Sequence, residues 1–394
     1  MEYLGVKLKV NKSLLFFALA AWIGLDAYLI SGNTVVIKLI VYGAFICVFT
    51  SGLFSKKIDT QLFGIVFLII SFYFHIPGEG SLNNIIGFGF IPLSIVFFLT
   101  EESKCILYKY FKLIFVLSLI PGLVIYFLDV SGVSIPYTDI TVFEKRQIGE
   151  ANFVVDYIGF MGNTKQLISN TFSFYRFEGM YNEPGVVGTL SALLLVVSQF
   201  EIKSWENKVL IVSGLLSLSL AFYVILLFHF LLSSSNIKHY MIFLASIIVV
   251  VNLPITKHYL ADRFKIDNYT LKGDNRVSDD FSFLYTQDID NGDVYNKIFG
   301  LGSDAHAKKG YNVSSYKQLI YNKGYLGIIL IISFYLIYIY KHLRSTKLRL
   351  IMLIVLLSIY QRPEVMTLFF TVVFAGGISL MNNQSEKMYQ LNIS

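Results

Sequence analysis

The chain has 394 residues, of which 55% are apolar and only 15% are charged, and its mean hydropathy is +0.63. Soluble domains carry roughly 25% charged residues, so this composition excludes an ordinary soluble protein and indicates one that crosses a membrane several times. Most of the net charge of +6 lies in short loops, which the positive-inside rule explains without a nucleic-acid partner. Cys47 and Cys105 are far apart in sequence and predict neither a disulfide framework nor a zinc site.

Apolar runs follow one another along the chain, and about 17–25 apolar residues suffice to cross the hydrocarbon of a bilayer. The runs lie at about residues 13–30, 34–54, 61–76, 84–99, 106–128, 185–200, 207–232, 239–255, 316–340, 349–361 and 364–382. They predict an all-α polytopic integral membrane protein with about 11–12 transmembrane helices, in which residues 1–394 form a single membrane domain. Two long polar stretches interrupt the runs, at about residues 129–184 and 256–315.

Basic residues predict the orientation of these helices. Lysines precede the first run, follow the second and surround the start of the fifth, at positions 7, 9, 12, 56, 57, 104, 109 and 112. The intervening turns hold no Lys or Arg, so the N-terminus is expected in the cytoplasm and the stretch 129–184 outside. Lys341, Arg344 and Arg349 mark a later cytoplasmic loop, which places 256–315 outside as well, with both termini cytoplasmic.

The two outer stretches impose a condition on the helices between them, because an even number of crossings must join two loops on the same side. Counting residues 207–232 as one helix gives three crossings. We therefore expect this run to break near Ser217-Leu-Ser219 into two short crossings or a re-entrant hairpin. Each half would be near 20 Å long against a hydrocarbon core of about 30 Å, which is tolerated where protein buries the broken backbone.

The first outer stretch ends in a cluster of charged residues directly before the next membrane helix. Arg176 is expected to bind phosphate oxygens, because its planar fork meets them bidentately and stays protonated. Glu183 is either a general base or a partner for the helix dipole, since it precedes Pro184 at a helix start. Gly179 is expected to permit a tight turn.

Further side chains are candidates for substrate binding. Tyr175 and Tyr181 would stack on sugar rings, or else belong to an aromatic belt at the membrane interface. Arg146 lies earlier in the same stretch, and Arg362 lies in a short outer turn from which it could join the site. These four residues, together with Gly179, are assigned to the substrate-binding group.

The second outer stretch supplies Arg276 and His306. Arg276 would contact a phosphate or sugar, or else pair with Asp274 or Asp279 on the surface. His306 would act as a base or bind the acceptor, or else be a solvated loop residue. Asp288-x-Asp290 resembles the metal-binding pair of nucleotide-sugar transferases, but without a soluble nucleotide-binding domain we expect no metal and no cofactor.

These motifs resemble a known family. The pattern Arg176-x-x-Gly179-x-x-x-Glu183-Pro184-Gly185, at the start of a membrane helix, resembles the first outer-loop signature of bacterial O-antigen polymerases of the Wzy type and of the related O-antigen ligases. Gly273-Asp-Asn-Arg276, Ile298-Phe-Gly300-Leu-Gly302, His306 and Asn322-Lys-Gly324-Tyr-Leu-Gly327 are similar in order to its second-loop elements. Ligases usually have an Asn or Ser close after the His, whereas here Asn312 is the next such residue, which favours a polymerase.

The resemblance implies a GT-C-like inverting glycosyltransferase that needs no metal. It would join undecaprenyl-diphosphate-linked oligosaccharide repeat units into O-antigen or capsular polysaccharide at the periplasmic face of the bacterial inner membrane. Arg176, Glu183, Arg276 and His306 would be its catalytic group, and a chain-length regulator could be a partner. Two alternatives stay open, a ligase that transfers finished glycan to lipid A core and a transporter or flippase for the same lipid-linked sugar.

Overall fold

The computed structural model describes residues 2–3, 6–7, 11–25, 34–75, 90–141, 153–163, 175–181, 183–233, 266–267, 270–271, 277–311, 313, 315–361 and 364–391. This part of the chain is mostly helical. Its helices are α1 (Lys12–Ile23), α2 (Thr34–Thr50), α3 (Ile58–His75), α4 (Phe90–Phe98), α5 (Glu101–Val130), α6 (Pro184–Val197), α7 (Trp205–Leu216), α8 (Leu220–Ser233), α9 (Asp279–Tyr285), α10 (Val294–Phe299), α11 (Ala305–Lys308), α12 (Tyr316–His342), α13 (Thr346–Gln361) and α14 (Leu368–Leu391). A π-helical turn, Thr286–Asp290, follows α9, and a 3-10 turn, Glu364–Met366, precedes α14.

The strands are short and antiparallel. A three-stranded sheet in the polar stretch 129–184 consists of β3 (Thr138–Thr141), β4 (Phe153–Tyr157) and β5 (Met161–Asn163), in that order. Two hairpins flank it in the sequence, β1 (Glu2–Tyr3) with β2 (Val6–Lys7), and β6 (Ile266–Asp267) with β7 (Thr270–Leu271). Neither the sheet nor the hairpins are long enough to form a domain apart from the helices.

Three helices in the described part of the chain, α3, α5 and α12, are long and apolar enough to cross a membrane. Shorter apolar helices of 10–17 residues accompany them, among them α1, α6 and α8. This architecture is compatible with an all-α membrane protein, as the composition predicts. The number of crossings and their direction stay predictions, and the apolar run at 239–255 lies outside the described residues.

The expected interruption of the run 207–232 is present. Helix α7 ends at Leu216 and α8 begins at Leu220, and Leu218 between them has a positive φ of 47°. Helix α6 packs closely on this break, because a Cβ added at Gly188 would lie 2.3 Å from Cβ of Ser219. The run is therefore divided into two short helices, and α6 packs against the break between them.

Helix α5 connects the first outer stretch to the bundle. It begins after Thr100, whose side chain accepts a hydrogen bond from the backbone N–H of Ser103, with acidic residues in its first turn as the helix dipole favours. Near its other end Pro121 is followed by Gly122, where an added Cβ would lie 2.9 Å from the Phe160 carbonyl oxygen and 3.2 Å from Cα of Gly179. The absent side chain lets the loop around Gly179 lie directly on α5.

At the opposite end of α5 a charged residue is fully buried. Nζ of Lys104 lies 2.8 Å from Glu101 and donates to the hydroxyl of Tyr338 on α12 at 3.0 Å. Oγ of Ser379 on α14 donates to the other carboxylate oxygen of Glu101 at 2.5 Å. One polar cluster therefore joins α5, α12 and α14, and it satisfies a charge that burial alone would strongly disfavour.

Candidate functional site

The loop of residues 175–181 is tied to the end of α5 by hydroxyl groups. The Tyr175 hydroxyl donates to Oδ2 of Asp129 at 2.6 Å, and the Tyr157 hydroxyl donates to Oδ1 of the same carboxylate at 3.1 Å. The hydroxyl of Tyr126 donates to the backbone carbonyl of Tyr175 at 2.9 Å. Burial, followed by the bond to Asp129, raises the pKa of Tyr175, so this phenol remains a donor.

The aromatic rings of the loop are packed inside the protein. Tyr175 lies 5.1 Å from the ring of Tyr126, and the fully buried Tyr181 lies 5.4 Å from the ring of Phe115. The Tyr181 hydroxyl accepts a hydrogen bond from Nε1 of Trp22 at 2.8 Å. The structure thus gives both tyrosines a packing role, and their assignment to sugar binding stays a prediction.

Gly179 adopts the tight turn expected of it, with φ of 55°. Its carbonyl accepts a hydrogen bond from the backbone N–H of Gly162 at 2.8 Å, which joins the loop to strand β5. The neighbouring Glu178 is 1% exposed. This buried carboxylate was not among the site residues predicted from the sequence, although its position two residues after Arg176 and directly before Gly179 was a usable signal.

Arg176 lies against the break between α7 and α8. Its Nε donates to the backbone carbonyl of Ser217 at 2.9 Å, and the backbone N–H of Phe177 donates to the carbonyl of Leu216 at 3.0 Å. The loop therefore caps the C-terminus of α7, where a positive charge also complements the helix dipole. A guanidinium has five N–H donors, so this contact is compatible with phosphate binding.

Glu183 is the residue that precedes α6. Its backbone is extended, Pro184 occupies the first helical turn, and no capping hydrogen bond from its side chain is made to the helix. The carboxylate is partly exposed at a helix N-terminus. Both roles expected from the sequence, general base and partner of the helix dipole, fit this position.

A small hollow lies beside the first turns of α6. Its volume is about 10 Å³, roughly what one water molecule needs, and its polar lining comes from Thr189, Ser358 and Glu364. Oγ1 of Thr189 is buried and has no hydrogen-bond partner within the described part of the chain. The hollow is too small for a sugar in this conformation.

Two glycine motifs that are separated in sequence, one around Gly300 and one around Gly324, lie against each other. A Cβ added at Gly300 would lie 2.4 Å from the Lys323 nitrogen, and one at Gly324 would lie 2.1 Å from the Ile298 carbonyl oxygen. Both glycines have positive φ, 74° and 65°. The backbone N–H groups of Leu301 and Gly302 donate to the carbonyls of Tyr321 and Asn322, both at 2.9 Å. Close backbone contact thus explains why both positions need glycine.

His306 is buried close to the contact between the two glycine motifs. It is therefore not a solvated loop residue, which was the second role expected from the sequence. It is 6% exposed, and its Nδ1 lies 3.1 Å from Oδ1 of Asn322. The backbone N–H of His306 also points at this atom, at 3.4 Å, so the atom is an acceptor and Nδ1 carries the proton. Burial lowers the pKa of His306, partly offset by Asn322. The imidazole is therefore neutral at pH 7, with Nε2 as its basic atom.

Lys323 connects the residues around His306 and Asn322 to α3. It was not among the site residues predicted from the sequence. Its Nζ donates to the carbonyl of Tyr73 at 3.0 Å, and the Tyr73 hydroxyl donates back to the Lys323 carbonyl at 2.9 Å. Oγ of Ser303 donates to the carbonyl of Phe74 at 2.7 Å. Lys323 is 5% exposed as a residue. Its position inside the Asn322-Lys-Gly324 pattern was the signal in the sequence.

The carboxylate of Asp288 is engaged by protein groups. It accepts hydrogen bonds from Nζ of Lys309 at 2.7 Å and from the Tyr321 hydroxyl at 2.5 Å. Burial raises the pKa of Asp288, but these two bonds outweigh it, so the pKa lies below its ordinary value. Among the described residues no group of three or more His, Cys, Asp or Glu could hold a metal ion.

Three of the arginines assigned to the site, Arg146, Arg276 and Arg362, lie outside the described residues. The convergence of Arg176 with Arg276 therefore stays a prediction. Comparison of the chain with protein families, curated proteins and solved structures finds no match. The fold is mostly helical and contains long apolar helices, as integral membrane proteins do.

Proposed function

We propose that this chain is a membrane glycosyltransferase of the O-antigen polymerase kind. Its substrates are undecaprenyl-diphosphate-linked oligosaccharides at the outer face of a bacterial inner membrane. The acceptor hydroxyl oxygen bonds to the anomeric carbon of the donor glycan as the bond from that carbon to the diphosphate breaks. The leaving group is undecaprenyl diphosphate, and the hydroxyl proton passes to a base of the protein.

The observation that carries the proposal is the position of Arg176. The guanidinium is held against the α7–α8 break by a defined hydrogen bond, in a loop fixed on α5 and directly before α6. No nucleotide sugars exist outside the cytoplasm, so a donor there must bring its own leaving group. A lipid diphosphate does so, and Arg stabilises the negative charge that develops as it departs.

Two residues are candidates for the base. His306 is neutral with Nε2 as its basic atom, which matches the needs of a general base near pH 7. Glu183 is a partly exposed carboxylate beside the Arg176 loop. We favour His306, because Asn322 already holds its tautomer. The dependence of reaction rate on pH distinguishes them. If His306 is the base, the rate falls as the pH drops below its lowered pKa, and this fall is absent from the residual activity of a His306→Gln variant.

The test is reconstitution of the reaction. Purified full-length protein incubated with a defined undecaprenyl-diphosphate repeat unit is expected to give a ladder of longer glycans. Arg176→Lys keeps the charge but lacks the planar fork, and we expect at least about a tenfold loss of rate. Arg344→Lys, at an exposed position near the basic end of α12, is the control and should retain activity. Absence of a ladder with the native chain, or native chain lengths in Arg176→Lys, would contradict the proposal.

A transporter or flippase for the same lipid-linked sugar is the second candidate, and the α7–α8 break favours it. Transporters often bind substrates at interrupted helices inside the membrane. Here Leu216 and Leu220 flank such an interruption. Liposomes that contain the protein and a labelled lipid-linked repeat unit would separate the two functions, because movement across the bilayer without lengthening supports transport alone.

A further inference from the structure

The length of α12 locates the edge of the membrane hydrocarbon. From the non-helical Gly324 to the end of the helix at His342 there are 18 steps of about 1.5 Å, which give about 27 Å. A hydrocarbon core is about 30 Å thick. Lys341 and Arg344 lie at one end of this span. The kink at Gly324 therefore falls at the opposite hydrocarbon edge.

Helix α10 is attached to the protein at this level. The Ile298 carbonyl lies directly against Gly324, and Gly300, the residue after α10, lies against Lys323. The Tyr73 hydroxyl, near the end of the apolar helix α3, donates to the Lys323 carbonyl and also lies 3.3 Å from the carbonyl oxygen of Phe299. The backbone of α10 is therefore fixed where two membrane-spanning helices both leave the hydrocarbon.

The side chains of α10 cover no protein core. None of its residues is buried, Val294 is 70% exposed and Tyr295 is 67% exposed. Ile298 and Phe299 follow one turn later on the same side, and the rings of Tyr295 and Phe299 lie 4.9 Å apart. The short helix thus has an apolar, aromatic face, with Asn296 and Lys297 between these residues in the sequence.

The helices that hold α10 expose apolar residues just below it. On α3, Ile69 and Phe72 are exposed, and on α12, Tyr325 and Ile329 are exposed. Such side chains on spanning helices face lipid. α10 lies at the Gly324 end of the exposed apolar surfaces of α3 and α12. Lipid that covers these surfaces therefore also contacts Val294 and Tyr295.

We propose that α10 is an interfacial anchor, inserted among the lipid headgroups and upper acyl chains of the membrane leaflet at the Gly324 end of α12. The bilayer is the partner, because the apolar face continues the lipid-facing surfaces of α3 and α12, and because tyrosine and a flanking lysine suit a membrane interface. The anchor holds the Gly300 turn, and with it His306, at the level of the headgroups.

The experiment measures the depth of α10 in the bilayer. A nitroxide is attached to Tyr295→Cys, and in a second protein to Val294→Cys, in full-length chains in which the exposed Cys47 is replaced by Ser. The proteins are reconstituted in vesicles of phosphatidylethanolamine and phosphatidylglycerol. Collision with oxygen reports lipid contact, and collision with a water-soluble nickel chelate reports water. Ile329→Cys is the lipid control and Asp280→Cys, exposed on α9, the water control.

We expect the ratio of oxygen to nickel collisions at positions 294 and 295 to exceed that at 280 several-fold and to approach that at 329. A ratio equal to that at 280 in both proteins would overturn the proposal, and two labelled positions guard against a local disturbance by one of them. The result does not depend on glycosyl transfer, since an anchored α10 is compatible with an enzyme or a transporter.

Discussion

At the scale of single residues, the two side chains that matter most are each held by a hydrogen-bonding group of another element, a backbone carbonyl for Arg176 and a side-chain amide oxygen for His306. Arg176 is held by the Ser217 carbonyl, and the Asn322 oxygen that orients the His306 ring also receives the His306 backbone N–H. Such contacts fix the direction of a guanidinium or imidazole before any substrate arrives. Preorganised groups of this kind stabilise a developing charge better than mobile ones.

His306 predicts a dependence of stability on pH. Burial lowers its pKa below the ordinary 6.5, so the unfolded chain takes up a proton first as the pH falls. The free energy of unfolding therefore receives no contribution from His306 well above pH 6.5 and decreases as the pH falls below that value. In His306→Gln this decrease is absent. Thermal unfolding in detergent at pH 7.5 and pH 5.5 should show a smaller loss of Tm in the variant, and equal losses would contradict the buried neutral imidazole.

At the scale of elements, the contact between Gly300 and Gly324 determines how α10, α11 and α12 fit together. A side chain at either glycine meets backbone atoms, which cannot move aside as the tip of a flexible side chain can. The break in α12 is therefore a structural requirement of the contact.

Gly324→Ala tests this requirement. The added Cβ would meet the Ile298 carbonyl and would also require a positive φ, whereas Gly310→Ala requires a positive φ of 83° with nothing within 4 Å. We expect Gly324→Ala to lose at least about 2 kcal/mol more stability than Gly310→Ala, because overpacking adds to the same backbone strain. Thermal unfolding of the two variants gives the comparison. Similar losses would mean that the backbone contact is not close.

The elements also show what the sequence could predict. The lengths of the apolar runs and the distribution of charged residues were sufficient to predict the helical class. The requirement for an even number of crossings between the two polar stretches predicted the break between α7 and α8. Both arguments follow from the properties of the membrane itself. The burial of His306 could not be predicted, since it depends on a contact with Asn322 sixteen residues away. Lys323 was missed for the same reason, because its partner is on α3.

At the scale of the whole molecule, the orientation in the membrane is open to a direct test. The charge pattern places the loop between α6 and α7 in the cytoplasm and α9 outside. A cysteine at Lys203 should therefore be unreactive toward an impermeant thiol reagent added to intact cells, whereas one at Asp280 should react; both positions are exposed in the structure. Labelling at Lys203 with none at Asp280 would reverse the orientation.

The buried cluster around Lys104 has a consequence for biosynthesis. Lys104 and Glu101 lie on α5, whereas Ser379, whose hydroxyl donates to Glu101, lies on α14 and is synthesised much later than they are. Until α14 is in place, Glu101 lacks the hydrogen bond from Ser379, and α5 lacks the close contact of Gly376 with Tyr108 and the Lys104 carbonyl. A nascent chain without α14 would therefore hold this ion pair with one hydrogen-bond donor fewer and with one side of α5 uncovered, so the last helix completes a polar cluster that the fifth one begins.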